Sequence, residues 1–268
     1  MYPLRRLMSV ALLLVAAGCT MFDKQEYPLP QDFPVHGIDV SKYQGNIDWR
    51  KAVEGNIAFA FIKATEGGDH KDKLFEQNWN NAREAGMPRG AYHFYYWCRP
   101  AHEQAAWFIA NVPKDPDALP PVLDVEWNGH SRTCPKNVKR DIAIREMQIF
   151  LDMVEKHYGK RPIIYVTVDF YRDVMVGAFE SYPLWVRSVA GYPTKRYGER
   201  KWAFWQYTAT GKAWGIEGPV DRNAFFGTKK QWQEWLQKNQ HHGHEHHAHL
   251  PMSGGALLGR LHDIIEDV

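Results

Sequence analysis

The feature that most limits the fold of this 268-residue chain is the alternation of apolar, strand-like runs with helical patterns. The runs predict about eight strands, at 36–40, 58–64, 89–97, 121–126, 162–168, 184–189, 202–207 and 219–221. Between the early strands, the spacing of apolar residues predicts helices over 48–54, 74–85, 101–111 and 138–158. Strands that alternate with helices are typical of βα units and a parallel sheet.

The connections in the second half of the chain are short and rich in glycine, proline and aromatic residues. We therefore predict an α/β fold, a single TIM-like β/α barrel of about eight strands with incomplete outer helices. An open, doubly wound sheet is the alternative. No glycine-rich phosphate loop follows a predicted strand, so the sequence gives nucleotide binding no support. A net charge of +2 also argues against nucleic acid as a partner.

Residues 1–19 resemble a signal peptide, with Arg5 and Arg6 ahead of an apolar run too short to span a bilayer. The run ends in small residues before Cys19, similar to the lipobox at which bacteria cleave the signal and attach lipid to the cysteine. Ordinary cleavage near Ala17 is the alternative. We expect lipid on Cys19 to hold the protein in a bacterial cell envelope, as a periplasm-facing or outer-membrane lipoprotein.

Residues 20–34 are polar, contain three prolines and predict an extended tether ahead of a barrel over 35–239. The tail, 240–268, carries six histidines within 241–249 and then apolar residues on one helical face, from Leu257 to Val268. The histidine tract suits Zn²⁺ or a solvated linker, and without fixed ligand spacing we predict no defined metal site. We expect the short amphipathic helix to dock on its own domain.

Cys98 and Cys134 are the other two cysteines, and each follows a predicted strand. Loops after consecutive parallel strands lie on one rim of a barrel, and an exported protein meets an oxidising compartment. A disulfide between them and two free thiols both remain open from the sequence.

The strongest chemical signal is the strand-like run PVLDVEW at 121–127, which is interrupted by Asp124 and Glu126. Alternate residues of a strand share a face, and a rise of about 3.3 Å per residue separates the two backbones by about 6.6 Å. Paired carboxylates at such a separation suit cleavage of a glycosidic bond. A structural role, capping the next loop or pairing with arginine, is the alternative.

Two further acids end predicted strands: Asp39 on the first and Asp221 on the last. First and last strands are neighbours in a closed barrel, so four carboxylates are expected to converge on one rim. Burying them together is costly without a function. The rim could hold a divalent cation, but the surrounding aromatic residues favour a sugar, and we predict neither a metal nor another cofactor.

Several motifs together resemble the glycoside hydrolase family 25 lysozymes, in matching order and spacing across residues 35–236. They are HGIDVSKYQG (36–45), FIKATEG (61–67), GAYHF (90–94), LDVE (123–126), WQY (205–207) and VDRN (220–223). The resemblance implies a flattened barrel that hydrolyses the β-1,4 bond between N-acetylmuramic acid and N-acetylglucosamine of peptidoglycan. The sequence departs from the family pattern at His70, Arg222 and Asn223.

The resemblance implies that Glu126 is the general acid and Asp124 the partner carboxylate. Asp124 either attacks the anomeric carbon or steadies an oxazolinium formed by the substrate, and we favour the second. Asp39 and Asp221 are expected to hold and polarise the site. Aromatic residues near predicted strand ends are candidates for substrate contacts or for barrel filling: Tyr92, Tyr95, Tyr165 and Trp205.

The predicted function is therefore a monomeric lysozyme whose partners are peptidoglycan strands and, through Cys19, a membrane. The main alternative is a non-catalytic peptidoglycan-binding lipoprotein. A chitinase-like barrel is less favoured because the fuller acidic pattern of those enzymes is missing around Asp124. A periplasmic metal-binding protein built on the histidine tract is the third alternative.

Overall fold

The computed structural model describes residues 27–240 of the chain. Its strands are β1 (His36–Val40), β2 (Phe59–Glu66), β3 (His70–Lys71), β4 (Arg89–Phe94), β5 (Val122–Val125), β6 (Ile163–Val166), β7 (Leu184–Arg187), β8 (Phe204–Gly211) and β9 (Val220–Phe225). The predicted signal peptide, the lipidation site at Cys19, the histidine tract and the C-terminal helix lie outside the described residues.

Eight of the strands described within 27–240 close into one barrel, while β3 only forms a short hairpin with β2. The order around the ring is β1-β2-β4-β5-β6-β7-β8-β9, and β9 pairs with β1 to complete it. Within the ring, each strand from β1 through β8 pairs in parallel with the next. The predicted fold class, a single α/β barrel of about eight strands, is confirmed.

The last strand, β9, runs antiparallel to both of its neighbours, β8 and β1. The connection between β8 and β9 is too short for the crossover that a parallel pair needs, so the two strands form a hairpin. The prediction that Asp221 ends the last strand is therefore wrong, because Asp221 is the second residue of β9. Because β9 runs in the opposite direction, its first residues lie at the rim where the parallel strands end, and Asp221 is still at that rim.

Helices cover the barrel unevenly. The first four parallel strands of the ring are each followed by a full helix: α1 (Trp49–Glu54), α2 (Phe75–Glu84), α3 (Ala101–Asn111) and α4 (Arg140–Tyr158). After β6 and β7 the chain forms only α5 (Val168–Phe170), a π-helical turn (Tyr171–Met175) and α6 (Thr194–Tyr197), and α7 (Lys229–Asn239) follows β9. Incomplete helical cover in the second half agrees with the prediction.

The longest helix, α4, follows directly from its apolar spacing. Its buried residues recur at intervals of three and four, which places them on one face against the barrel: Ala143, Met147, Phe150, Leu151, Val154 and Tyr158. The helix ends at Gly159, whose φ of 68° is a left-handed conformation that glycine adopts without steric cost. This packing anchors the loop between β5 and α4.

Aromatic rings fill the inside of the barrel below the rim, among them Phe59, Phe61, Trp185 and Phe204. The ring of Phe59 lies 2.4 Å from where a Cβ of Gly37 would be, so this position of β1 admits only glycine. Residues two apart share a strand face, so Asp39 points into the barrel one layer above Gly37. A packed floor thus leaves only the upper end of the barrel open.

The described part of the predicted tether packs against the barrel. Phe33 is buried, and its ring contacts those of Trp202, Trp205 and Phe226. Tyr27 contacts the ring of Tyr192. Residues 27–34 are therefore part of the folded domain rather than an extended linker, because aromatic burial outweighs their polar, proline-containing character. Among the described helices, none is long and apolar enough to cross a membrane.

Candidate active site

A cleft of about 260 Å³ opens at the rim where the parallel strands end. All four predicted acids line it: Asp39, Asp124, Glu126 and Asp221. Other lining side chains come from strands all around the ring and include Lys63, Tyr92, Tyr165, Trp185, Arg187 and Gln206. The barrel thus gathers residues that are up to 182 positions apart in the sequence into one polar cleft.

Asp39 and Asp221 are direct cross-strand partners on β1 and β9. Burial and the Asp221 charge raise the pKa of Asp39 to about 8, against amide hydrogen bonds that lower it. Burial also raises the pKa of Asp221, and the nearby Arg187 guanidinium opposes that rise. Near neutral pH this pair therefore tends to retain a proton.

A buried hydrogen-bond network fixes Asp39 from below. Asn223 Nδ2 and Gln206 Nε2 both donate to Asp39 Oδ2, at 2.8 and 3.0 Å. Behind them, the Tyr165 hydroxyl donates to Gln206 Oε1 at 2.9 Å, and Trp185 Nε1 donates to Asn223 Oδ1 at 2.7 Å. Each amide is held by an aromatic side chain, so the position and orientation of Asp39 are determined before any ligand arrives.

Asp124 and Glu126 lie at the carboxyl end of β5, where Asp124 is within the strand and Glu126 follows its last residue. They face the same cleft, with Asp124 buried and Glu126 half-buried. Burial raises the pKa of both carboxyl groups, and the charge of Glu126 raises the pKa of Asp124 further. The two carboxyl groups therefore influence each other's ionisation, and Asp124 Oδ1 has no hydrogen-bond partner among the described residues.

Two cations balance part of this negative charge. Arg187 at the end of β7 lowers the pKa of Glu126 and of Asp221. Lys63 on β2 lowers the pKa of Asp124 and is held by a salt bridge of 2.6 Å to Glu66, with its ammonium over the Phe94 ring. The cleft therefore contains fixed positive charge beside each group of acids.

Two of the four predicted aromatic residues, Tyr92 and Tyr165, line the cleft. Tyr95 and Trp205 do not line the cleft, because both side chains belong to the apolar layer between the barrel and its helices. Trp205 Nε1 donates to the Ser188 carbonyl oxygen at 2.9 Å. Strand alternation is the reason: on β8 it is Gln206, the next residue, that points into the cleft.

Several site residues were not predicted from the sequence: Lys63, Trp185, Arg187, Gln206 and the supporting Asn223. Alternation was the available signal, since Trp185 and Arg187 occupy alternate positions of one strand and share its inner face. Asn223, one of the departures from the family pattern, bonds Asp39 directly, whereas His70 is exposed on β3.

Cys98 and Cys134 form a disulfide that joins the loop after β4 to the loop after β5. The bridge closes a segment with a sequence separation of 36 residues and fixes the loop that follows the Asp124–Glu126 pair. Within residues 27–240, no group of three or more His, Cys, Asp or Glu side chains is arranged to hold a metal ion.

Comparison with known proteins gives consistent matches. The family model "Glycosyl hydrolases family 25" matches residues 38–216. Lysozyme M1 of Streptomyces globisporus is 36% identical over 210 residues, which cover 72% of this chain and 68% of that protein. A family 25 glycosyl hydrolase from Bacillus anthracis superposes with a TM-score of 0.70 at 39% identity, covering 78% of this chain and 95% of that one. The bacterial lysozyme of Streptomyces coelicolor has a TM-score of 0.68 at 34% identity, covering 76% and 98%.

Proposed function

The chain belongs to glycosyl hydrolase family 25 and is a glycoside hydrolase, and on that premise we propose that it cleaves peptidoglycan as an N-acetylmuramidase. The bond broken is the β-1,4 linkage between N-acetylmuramic acid and N-acetylglucosamine. The observation that carries the proposal is the Asp124–Glu126 pair, two carboxyl groups with raised pKa values facing one open cleft. Relatives named as a lysozyme and as an N,O-diacetylmuramidase support peptidoglycan as the substrate.

In the proposed mechanism, Glu126 gives its proton to the glycosidic oxygen as the bond breaks. A general acid needs a pKa high enough to keep its proton near the working pH, and burial supplies that rise. Its half-buried position leaves the carboxyl group accessible from the cleft. Once ionised, Glu126 accepts the proton of the attacking water in the second step.

Asp124 is the partner carboxylate. Direct displacement by a carboxylate requires the two carboxyl groups to lie about 5–5.5 Å apart, with the sugar between them. We favour for Asp124 a supporting role, in a route where the substrate's own acetamido group attacks the anomeric carbon. In that role Asp124 orients the substrate's acetamido group and stabilises the oxazolinium that forms on the anomeric carbon. The configuration at that carbon is retained, because two inversions occur.

Asp39 and Asp221 hold the opposite wall of the cleft. The pKa of Asp39, raised to about 8, keeps its carboxyl group largely protonated near neutral pH, so it can donate as well as accept hydrogen bonds with sugar hydroxyl groups. Tyr92 and Tyr165, on the two strands that flank β5, also line the cleft and offer hydroxyl groups to the substrate.

The experiment that tests the proposal is the identification of the new reducing end. Purified peptidoglycan is incubated with the protein, and the released fragments are reduced with borohydride and analysed by mass spectrometry. A reduced muramic acid terminus supports the muramidase, and a reduced glucosamine terminus contradicts it. Binding without any release of fragments would instead support the non-catalytic peptidoglycan-binding lipoprotein.

We also propose that the enzyme acts at a bacterial membrane surface as a monomer anchored by lipid on Cys19, with residues 1–18 removed. The support is the small-residue run that precedes Cys19. Expression in a bacterial host, detergent partitioning and mass spectrometry of the mature N-terminus test it, with Cys19→Ala as the control. A mature chain that partitions into water and begins before Cys19 would contradict the anchor, and a dimer by light scattering would contradict the monomer.

A further inference from the structure

A second cavity, of about 540 Å³, lies at the same end of the barrel, between the loop after β4 and the loop before α4. We call it the basic cavity; its lining includes Tyr95, Trp97, Arg99, Lys136, Lys139 and Glu146. The Cys98–Cys134 disulfide ties its two walls together, with Cys98 itself part of the lining. The cavity is therefore a constrained feature rather than a gap between independent loops.

The charge of the basic cavity is positive. Lys136 and Lys139 are exposed, and their side chains form no ion pair within residues 27–240. Arg99 makes only long contacts, at 3.6 Å to Asp69 and 3.5 Å to Glu103. The one lining carboxylate, Glu146, accepts the Ala101 N–H at 2.8 Å and keeps its negative charge, which the three basic side chains of the lining outnumber. Two lysines thus face the cavity without a partner.

Polar groups inside the cavity also lack partners. Tyr95 is 1% exposed and lines the cavity, yet its buried hydroxyl has no hydrogen-bond partner among the described residues. Lys139 is the N-cap of α4, a 19-residue helix whose first turn contains Asp141 but has no side-chain cap on its N–H groups. Uncapped N–H groups and the helix dipole favour an anion at this end. An unpaired hydroxyl, unpaired lysines and an open helix terminus all point to an anionic ligand.

The basic cavity shares its wall with the acid pair. Tyr95 N–H donates to the Asp124 carbonyl oxygen at 3.0 Å, and Trp97 Nε1 donates to the Glu126 carbonyl oxygen at 2.8 Å. The wall of the basic cavity is therefore hydrogen-bonded to the backbone of both acids. An extended peptide spans about 3.3–3.6 Å per residue, so a peptide attached to a sugar in the cleft can extend towards this cavity.

We propose that the basic cavity binds the carboxylates of the acidic peptide carried by the muramic acid residues, so that the enzyme selects glycan that still bears peptides. The inference rests on the proposed muramidase function, which puts a peptide-bearing sugar in the adjacent cleft. Carboxylates suit the cavity because lysine ammonium, tyrosine hydroxyl and helix N–H groups all donate to them.

The test compares two substrates: uncrosslinked glycan strands with intact peptides, and the same strands after an amidase has removed the peptides. We expect Lys136→Gln/Lys139→Gln in the full-length protein to lower the kcat/KM preference for peptide-bearing glycan about tenfold, equivalent to ~1.4 kcal/mol. Tyr95→Phe, which removes only the unpaired hydroxyl, is also expected to lower the preference for peptide-bearing glycan. The control variant, Lys229→Gln/Lys230→Gln on α7, makes the same change of charge outside the cavity and keeps the preference. A preference that survives in Lys136→Gln/Lys139→Gln would overturn the proposal.

A binding measurement separates this inference from the proposed hydrolysis. The free acidic peptide, titrated into the full-length protein and followed by NMR, is expected to shift the signals of Trp97 and Tyr95, and less so in Lys136→Gln/Lys139→Gln. Inorganic phosphate is the comparison ligand. Binding of phosphate without binding of the peptide would overturn the assignment in favour of a phosphate-containing polymer. If the protein binds the peptide but cleaves neither of the two glycan substrates, the proposed hydrolysis is contradicted. The assignment of an acidic peptide as the ligand of the basic cavity is then still supported.

Discussion

Asp39 and Asp221 lie directly opposite each other although their strands run in opposite directions, Asp39 near the end of β1 and Asp221 near the start of β9. A fully parallel eight-stranded ring would carry the last acid to this rim only at the end of its strand. The β8–β9 hairpin reverses that strand and still delivers the carboxyl group to the cleft. This pairing places two acids with raised pKa values opposite the Asp124–Glu126 pair.

We predict that Asp39→Asn stabilises the protein at pH 7. The folded-state pKa of Asp39 is raised to about 8, so the folded state binds this proton more tightly than the unfolded chain does. The contribution is favourable at low pH and is lost as pH rises from about 4 towards 8. Asparagine keeps the hydrogen bonds from Gln206 and Asn223 and removes the need to bind a proton on folding at pH 7.

The gain in unfolding free energy is expected to be on the order of 1–3 kcal/mol at pH 7 and to shrink towards pH 4. Urea unfolding of both proteins at the two pH values measures it. Glu199→Gln, which neutralises an exposed carboxylate, serves as the control and is expected to change stability little. A destabilised Asp39→Asn at pH 7 would show that burial of this charge is not the dominant cost.

Tyr165→Phe should weaken the network below Asp39. The variant removes the hydroxyl that donates to Gln206 Oε1 and leaves a buried acceptor unsatisfied, which costs about 1–3 kcal/mol. Thermal unfolding measures the loss of stability. Tyr92→Phe is the matched control, because the Tyr92 side chain also lines the cleft and its hydroxyl makes no such bond within the described residues. Equal stability of the two variants would contradict a supporting role for the Tyr165 hydroxyl.

Reduction of the Cys98–Cys134 disulfide is expected to lower the melting temperature. The bridge constrains a loop with a sequence separation of 36 residues, and bridges of this kind typically contribute about 2–4 kcal/mol. Differential scanning calorimetry with and without a phosphine reductant measures the effect. The control is Cys98→Ser/Cys134→Ser, which should melt at the lower temperature and not respond to the reductant. An unchanged melting temperature of the reduced wild-type protein contradicts the prediction.

Arg187→Met should move the basic limb of the pH–activity profile to higher pH. Arg187 lowers the pKa of Glu126, and a general acid is active only while it keeps its proton. Removing the guanidinium therefore raises that pKa and extends activity to more alkaline conditions, whatever happens to the maximal rate. The measurement is kcat/KM against pH on soluble glycan strands. A basic limb that stays in place or moves to lower pH would contradict the assignment of Glu126.

The sequence was sufficient to predict features that depend on local periodicity. The alternation of strands and helices specified the barrel, and the i, i+2 spacing of Asp124 and Glu126 placed both on one face. The face itself was harder to predict: in WQY at 205–207, alternation puts Trp205 and Gln206 on opposite faces, and either an aromatic or an amide side chain suits a sugar-binding cleft. The packing of Trp205 against Phe33, which lies 172 positions earlier in the chain, decides it.

Long-range relationships were beyond local patterns. The antiparallel direction of β9 follows from a short hairpin connection, and the burial of Phe33 depends on rings contributed by residues about 170–190 positions later. Gln206 and Asn223 support Asp39 through contacts that span most of the domain. Polar residues within predicted strands were the one local hint that these positions face a cleft.

The most direct test of the central claim is the turnover of Glu126→Gln on two substrates, with folding checked by circular dichroism. We predict a loss of about two to four orders of magnitude in kcat on peptidoglycan, because glutamine cannot protonate the leaving oxygen. The loss should be much smaller on an aryl glycoside whose phenolate leaves without protonation. A folded Glu126→Gln protein that cleaves peptidoglycan at the wild-type rate would contradict the account.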